Sequence, residues 1–390
     1  MRQAFLWCGA LAIAASLLVA SDYRSRDPDS ALYARLSGEL AQEPPSRWIA
    51  PAWRGAWNQE GLFREHPVGI LLPSVVLIRA GVPAGQAAYI VNMLYQVAVI
   101  VLIPLVAGVL VRGYEARTLA WVLQLLPVSF VYRIRGNQEH PLLMCFLAVI
   151  YGTERARTNP AWIALTVVAF GFLVLVKGAF AMFTLVAAAL WLLLVPAPAG
   201  AVDRSAWTGL AAAALASLLM LTGYEALYVR TTGESFLEFY RSTRLGQSIQ
   251  LTDPRVVPHA LVNAGWYLLR LAWFAAPWSL IAFAVAAIWL RAVVQRRTTE
   301  QFELASSRGI QWVMLTTAVF IAVLSPALVR AERFIFPTYF AIGAVGVVTA
   351  IRTRAGAGRL ALRADQFAWL PAAVWMVTFL LSLGSKVVRL

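Results

Sequence analysis

The chain has 390 residues, of which 60% are hydrophobic and 13% are charged. Soluble domains carry roughly 25% charged residues, so this composition excludes an ordinary soluble domain and indicates a polytopic integral membrane protein. The net charge is +14, but the arginines cluster in short loops between apolar runs, which is typical of cytoplasmic loops under the positive-inside rule. We therefore predict a membrane partner and no nucleic-acid binding.

Apolar runs close to the length of a membrane span recur along the whole chain, and about 11 of them are long enough to be counted as transmembrane helices. We predict a single integral membrane domain over residues 1–390 with an all-α polytopic fold. The predicted spans are 4–20, 86–111, 118–133, 140–152, 160–176, 179–195, 206–223, 274–294, 310–328, 334–351 and 367–384. Residues 67–82 are apolar but short, and the sequence leaves open whether they cross the membrane.

The first span is followed by a polar loop over residues 21–67, much longer than a connector needs to be. Asp27 and Asp29 lie at its start with Pro28 between them. Either carboxylate could act as a general base that deprotonates an acceptor hydroxyl or amine. The alternative is a solvated linker followed by a surface helix whose first turn is capped by Ser30. The loop is the predicted site of the chemistry.

Two Glu–His–Pro triplets stand where the chain enters apolar segments. Glu65 and His66 precede Pro67, and Glu139 closes a polar run that begins at Arg133. Dense charge beside lipid indicates a cavity. Glu65 and His66 could bind a divalent metal or a phosphate, or anchor the loop.

Further polar residues fall on the same predicted outer face. Lys177 interrupts two apolar runs, where it could hold a phosphate as a point charge or extend its amine to the interface. A second outer loop is predicted over 224–273; it contains Arg244 and an amphipathic stretch, Trp266–Trp273, expected to lie at the membrane interface. Arg333 precedes an aromatic segment on this face.

The order of these pieces resembles the membrane glycosyltransferases of the C-type fold, especially the branch that contains protein O-mannosyltransferases and the lipid A aminoarabinose transferase. The resemblance covers roughly residues 1–350. The motifs that carry it are Asp29–Ser30–Ala31–Leu32–Tyr33–Ala34, Trp48–Ile49–Ala50–Pro51, Glu65–His66–Pro67, Glu139, Lys177–Gly178, Pro277–Trp278 and Arg333–Phe334–Ile335–Phe336–Pro337–Thr338–Tyr339.

The resemblance implies transfer of a sugar from a polyprenyl-phosphate-linked donor to a lipid, glycan or protein acceptor, at a site on the extracytoplasmic side of a bacterial cell membrane. Asp29, with Asp27 beside it, would supply the base. The cations Lys177, Arg333, Arg244 and also His66 would stabilise the leaving phosphate. Glu65 and Glu139 would hold a divalent metal ion or orient the two substrates.

Two other functions fit the same sequence. A transporter or flippase for a lipid-linked substrate would place charges near the middle of spans, whereas here they gather at span ends. A non-catalytic scaffold of the same fold would use the polar loop to bind a partner. Fold-level analogy alone does not decide among these functions.

Overall fold

The structure is a computed structural model, and it describes residues 2–56, 59–110, 113–195, 197, 202–245, 256–295, 308–327, 330–353 and 368–387. The chain is almost entirely helical. Its α-helices, in chain order, are α1 Arg2–Ala20, α2 Pro28–Gln42, α3 Leu72–Arg79, α4 Ala84–Leu110, α5 Gly113–Val122, α6 Pro127–Tyr132, α7 Glu139–Ala156, α8 Ile163–Lys177, α9 Met182–Leu194, α10 Asp203–Thr232, α11 Phe236–Phe239, α12 Val256–Phe274, α13 Trp278–Val294, α14 Arg308–Leu324, α15 Phe336–Thr353 and α16 Leu370–Val387.

Every predicted span overlaps one of these helices, which confirms the all-α polytopic fold. Within the described part of the chain, 5 helical stretches are long and apolar enough to cross a membrane. They are Gln3–Ala20, Ala84–Val109, Pro160–Leu194, Asp203–Thr232 and Glu332–Thr353, and four shorter apolar helices accompany them. The protein is an integral multi-pass membrane protein.

The predicted span 118–133 is divided between two helices. α5 ends at Val122, a 3₁₀ turn covers Leu123–Leu125, and α6 begins at Pro127. Proline disfavours a helical conformation in the residue before it, and Leu126 is extended, with φ −63° and ψ 142°. The polar turn that follows α6 contacts the start of α2.

The loop at 21–67 is folded. It contains α2 and an antiparallel hairpin in which β1 (Ala52–Ala56) pairs with β2 (Gln59–Leu62). The rings of Trp53 and Phe63 stack with centroids 5.2 Å apart, and both side chains are buried in a cluster that includes Leu36 of α2. Burial of these apolar groups gives the loop a core of its own beside the helix bundle.

Residues 67–82 form two short helices, a 3₁₀ turn at Val68–Ile70 and α3. At 1.5 Å per residue, α3 is about 12 Å long, well short of a hydrocarbon core of about 30 Å. This segment alone is therefore too short to cross, in agreement with the topology that keeps the unusual polar residues on one face.

The second predicted outer loop, 224–273, is mostly helical where the structure describes it. α10 continues as far as Thr232, so the helix is nine residues longer than the predicted span 206–223 at this end. α11 and a π-helix at Tyr240–Leu245 follow. α12 contains the predicted amphipathic stretch, with Leu261 and Leu269 exposed on one face and Tyr267 and Leu271 buried on the other.

The core of the bundle is built around α7, which packs against both α4 and α8. α15 packs against α13, and the approach is so close that a Cβ atom on Gly346 would lie 2.1 Å from the carbonyl oxygen of Trp278. This packing fixes the N-terminal ends of α7 and α15 and the C-terminal end of α8. The polar residues described next lie at or near these three ends.

Candidate active site

Asp27 is held at the start of α2 as its N-terminal cap. Its carboxylate accepts hydrogen bonds from the backbone N–H of Ser30 at 3.1 Å and from the Ser30 hydroxyl at 2.7 Å. Pro28 occupies the first turn, where its missing N–H costs nothing. The sequence expectation that Ser30 caps this helix is wrong, because the helix begins at Pro28 and Asp27, three residues before Ser30, takes the capping position.

The turn between α6 and α7 docks on this cap although it lies more than one hundred residues away in the sequence. Arg135 Nη1 is 3.2 Å from Asp27 Oδ1, and Asn137 Nδ2 donates to Asp27 Oδ2 at 3.4 Å. The backbone N–H of Gly136 donates to the Ser30 hydroxyl. Gly136 also passes close to α4, where an added Cβ would lie 3.0 Å from the Cβ of Ala88.

Asp29 forms an ion pair with Arg333, which lies in the 3₁₀ turn before α15. Both side chains are partly exposed, at 22% for Asp29 and 35% for Arg333. The contact joins residues from opposite ends of the chain that the sequence assigned separately, as base and as phosphate-binding cation. The structure brings these two predicted site residues together.

Lys177 lies at the C-terminal end of α8 and faces into the same region. Its amine donates a hydrogen bond to the side-chain oxygen of Gln138, and it lies 5.7 Å and 6.0 Å from the ring centroids of Phe180 and Phe334. Such aromatic faces attract a cation. These contacts favour the prediction that Lys177 is a site residue over the alternative that its amine only extends to the membrane interface.

The turn after Lys177 depends on glycine. Gly178 has φ +61°, and a Cβ there would approach the Tyr240 hydroxyl to 2.9 Å. The segment around Tyr240 therefore packs directly on the Lys177 turn. Arg64 ties the first loop to this segment through an ion pair with Glu234 and a contact 4.6 Å from the ring centroid of Phe239.

Glu139 is buried at the first position of α7. Burial raises the pKa of its carboxyl to about 7, while the nearby charge of Lys177 acts in the opposite direction. Glu65 also interacts electrostatically with Lys177. The two acids predicted as metal ligands thus share one lysine between them.

Glu65 and Glu139 are the acids that the sequence assigned to a divalent metal ion. Among the described residues, no group of three or more His, Cys, Asp or Glu side chains is placed to hold a metal ion. A divalent ion bound by Glu65 and Glu139 would meet the like charge of Lys177. The metal assignment stays a prediction, and the catalytic step proposed below uses the protein's own cations.

His66 is buried, and both of its ring nitrogens have hydrogen-bond partners. Nδ1 lies 2.9 Å from the carbonyl oxygen of Pro67, and Nε2 lies 3.0 Å from the hydroxyl of Tyr33. Since a carbonyl only accepts, Nδ1 carries the hydrogen and Nε2 accepts from Tyr33. This arrangement suits a neutral imidazole that joins α2 to the re-entry point better than it suits a phosphate ligand.

Arg244 belongs to the π-helix Tyr240–Leu245, but its side chain lies outside what the structure describes, so its role stays a prediction. The sequence assignments did not include Arg135, Asn137 and Gln138, which contact Asp27 and Lys177. The signal was present, because these residues form the polar run between Arg133 and His140, yet their partners could not be read from spacing.

Comparisons with known proteins place the fold. No protein-family model and no curated protein matches the chain. Among solved structures, the chain aligns over 97% of its length with ArnT from Cupriavidus metallidurans bound to undecaprenyl phosphate, covering 75% of that chain at 16% identity with a TM-score of 0.63. It aligns over 95% of its length with the apo oligosaccharyltransferase of Archaeoglobus fulgidus, covering 56% of that chain at 11% identity with a TM-score of 0.53.

A third alignment, over 97% of the chain, is with the oligosaccharyltransferase AglB from Archaeoglobus fulgidus in complex with an inhibitory peptide and a dolichol-phosphate. The chain covers 55% of that protein at 12% identity with a TM-score of 0.50. It therefore spans just over half the length of the oligosaccharyltransferases. These likenesses confirm the C-type membrane glycosyltransferase fold that the sequence motifs predicted.

Proposed function

We propose that the protein is a membrane glycosyltransferase that moves a sugar from a polyprenyl-phosphate-linked donor to an acceptor on the extracytoplasmic face of the membrane. The observation that carries the proposal is the meeting of Asp29 with Arg333, beside Lys177 and the Asp27–Arg135 pair. Carboxylates and cations gathered at one end of a membrane bundle can serve as a base and as phosphate ligands. The fold supports this, because ArnT was solved with undecaprenyl phosphate and AglB with a dolichol-phosphate.

Asp29 is the proposed base. Asp27 already accepts two hydrogen bonds as a helix cap and pairs with Arg135, so we assign it the positioning of the turn that carries Asn137. Among the described residues Asp29 has one ion-pair partner, Arg333, and its side chain stays partly exposed. A carboxylate in this setting can accept a proton from a substrate hydroxyl that reaches it.

The proposed step is an inverting displacement at the anomeric carbon of the donor. The acceptor oxygen bonds to that carbon while Asp29 takes the acceptor's proton. The bond from the anomeric carbon to the phosphate oxygen breaks, and its electron pair leaves with the polyprenyl phosphate. Negative charge grows on the phosphate in the transition state, where Arg333 and Lys177 would stabilise it. Arginine suits this role because its guanidinium has several donors and can contact Asp29 and a phosphate together.

The proposed side of the membrane follows from the charge pattern. Arginine-rich loops mark the cytoplasmic side, and the site lies at the opposite ends of the helices. A donor that is lipid-linked and presented from outside agrees with this placement. The mass-spectrometry experiment described next identifies the sugar and the natural acceptor.

The test compares cells that carry the wild-type protein with cells that carry Asp29→Asn, by mass spectrometry of membrane lipids, glycans and glycoproteins. We expect one sugar-sized mass to disappear from a defined acceptor, since general-base catalysis supplies about 10²–10⁴-fold in rate. The matched control is Asp22→Asn in the same loop. Asp22 pairs with Arg24, and asparagine tolerates its left-handed backbone, φ 42°.

Retention of the full product in the Asp29→Asn cells would show that Asp29 is not the base. Loss of the product in both variants would instead indicate that the loop fails to fold. Expression of each variant is measured in the same membranes.

A further inference from the structure

Two adjoining spaces lie beside the site, at the junction of α3 and α4. The first is a small cavity, with room for about one water molecule, lined by α2, α3, α4 and the Gly136–Asn137 turn. The second is an apolar groove of about 310 Å³ between α3 and α4. The two spaces adjoin at Val91 and Tyr95, which line both.

The cavity contains polar atoms that lack partners. Asn92 is 2% exposed, and among the described residues neither its Nδ2 nor its Oδ1 has a hydrogen-bond partner. The hydroxyl of Tyr95 is also buried without a partner in this part of the chain. An unsatisfied buried amide is destabilising, whereas the other buried amides of α4, Gln86 and Gln96, have hydrogen-bond partners. Asn92 is therefore available to a polar group that enters the cavity.

The groove opens toward lipid. Val76 of α3 and Leu94 of α4 line it and are 56% and 47% exposed. Its other lining residues are apolar apart from the Tyr95 hydroxyl. A hydrocarbon chain can therefore enter the groove sideways from the bilayer and leave its polar end at Asn92.

The cavity reaches the proposed chemistry through Asn137, which lines it and also donates to Asp27. Neither Lys177 nor Arg333 lines the cavity or the groove, and no other charged side chain does so among the described residues. A donor phosphate needs cations. The neutral lining suits an uncharged hydroxyl group, which is also about the size of the one water molecule that the cavity admits.

We propose that the cavity and groove bind the acceptor, and that the acceptor is a membrane lipid that carries a hydroxyl group. The inference rests on the proposed transferase function and names its acceptor class. The hydroxyl group of the lipid forms hydrogen bonds with Asn92 and Tyr95 as it approaches the base, and the hydrocarbon chain lies between α3 and α4. In the transfer step this oxygen gains the sugar and loses its proton to Asp29.

Two photoreactive lipids test the proposal in nanodiscs of phosphatidylcholine. One probe is diacylglycerol with a diazirine in an acyl chain; the other is a polyprenyl phosphate with a diazirine in its chain. Both are used on Asp29→Asn protein, so that labelling reports binding without turnover. We expect diacylglycerol to label the groove around Val76 and Leu94, as mapped by peptide mass spectrometry, and Asn92→Leu to reduce this labelling about five- to tenfold.

A matched control separates binding from folding. Asn263 is also fully buried, but its amide donates to two carbonyl oxygens, of Ser325 and Ala327. Asn263→Leu should lower the thermal stability and leave groove labelling unchanged, whereas Asn92→Leu should keep or raise the stability because it removes an unpaired polar group. An equal loss of stability in both variants would show that Asn92 is structural and overturn the proposal.

A second pair of variants tests the groove. Leu94→Trp should block labelling by diacylglycerol, and Leu219→Trp on the lipid-exposed face of α10 should not. Labelling of the groove by polyprenyl phosphate alone would assign it to the donor chain and overturn the acceptor proposal. Polyprenyl phosphate could instead label another part of the protein in a way that depends on Lys177, while diacylglycerol labels nothing. That result would overturn the acceptor proposal and would still support the transferase function. Failure of both probes would count against both.

Discussion

The helices α7 and α15 carry charged residues at both ends, and the two ends pair them differently. At the ends where these helices finish, Arg352 donates two hydrogen bonds to Glu115, at 2.7 Å and 3.0 Å, and the Glu115 side chain is fully buried. Arg157 pairs with Glu154 with both side chains almost fully buried. At the ends where the helices begin, Arg333 pairs with Asp29 of α2, and both side chains stay partly exposed.

The comparison separates structural ion pairs from a site. In the bidentate pair the Glu115 carboxylate is fully buried and accepts two hydrogen bonds from Arg352, so it offers no accessible oxygen to a substrate. The pair of Asp29 and Arg333 leaves carboxylate and guanidinium surface accessible to a substrate. Substitution at the two ends should therefore change different quantities, activity at one and stability at the other.

The largest expected effect is on transfer, in Arg333→Gln. Loss of this guanidinium removes a donor to the leaving phosphate and should lower kcat by about 10²–10³-fold, the usual cost of removing one donor that stabilises transition-state charge. The measurement is the initial rate of sugar transfer in membranes at saturating donor. Arg330→Gln is the control, because Arg330 lies on the same segment and contacts only the face of Trp266 among the contacts described, 5.6 Å from its centroid.

Equal losses in Arg333→Gln and Arg330→Gln would mean that the segment is merely sensitive to substitution. The catalytic role of Arg333 would then have no support. Thermal stability of both variants, measured in the same membranes, shows whether each protein is folded.

The next effect is on stability, in Arg352→Ala. The substitution removes two hydrogen bonds to the fully buried Glu115 carboxylate, and breaking such a buried ion pair should cost about 3–5 kcal/mol in the free energy of unfolding. The midpoint of thermal unfolding should fall, while kcat of the protein that stays folded is unchanged. The double variant Glu115→Gln with Arg352→Ala should recover much of this loss, since neither partner then carries an unpaired charge. An activity loss as large as that of Arg333→Gln would erase the distinction between the two ends.

Much of the fold could be predicted from the sequence because apolar runs and their breaks dominate a membrane bundle. The first loop shows where that reasoning stops. Pro28 signalled a helix start, but the assignment of the cap to Asp27 depends on the backbone at Asp27. The β-hairpin was not predicted, because Ala52–Ala56 has no clear alternation of polar and apolar residues.

The candidate site was predicted residue by residue but not as a set of pairs. The order of the predicted spans and the charges of the loops between them placed Asp29, Lys177 and Arg333 on one face of the membrane, and the structure brings Asp29 against Arg333. The contact of Lys177 with Gln138 depends on how α7 and α8 pack side by side, which spacing along the chain does not encode. The sequence did not single out Asn92. Its lack of hydrogen-bond partners among the described residues can be seen only in the structure.

The smallest expected effect is on use of the donor, in Lys177→Ala. Loss of one charge-assisted hydrogen bond to the donor phosphate should raise the KM for the lipid-linked sugar about tenfold, with a smaller change in kcat. Lys177→Arg keeps the charge near Glu139 and Glu65 and should recover part of the affinity. The measurement is a donor titration at fixed acceptor. An unchanged KM would reduce Lys177 to a packing residue between Phe180 and Phe334 and would leave Arg333 as the cation on which donor binding depends.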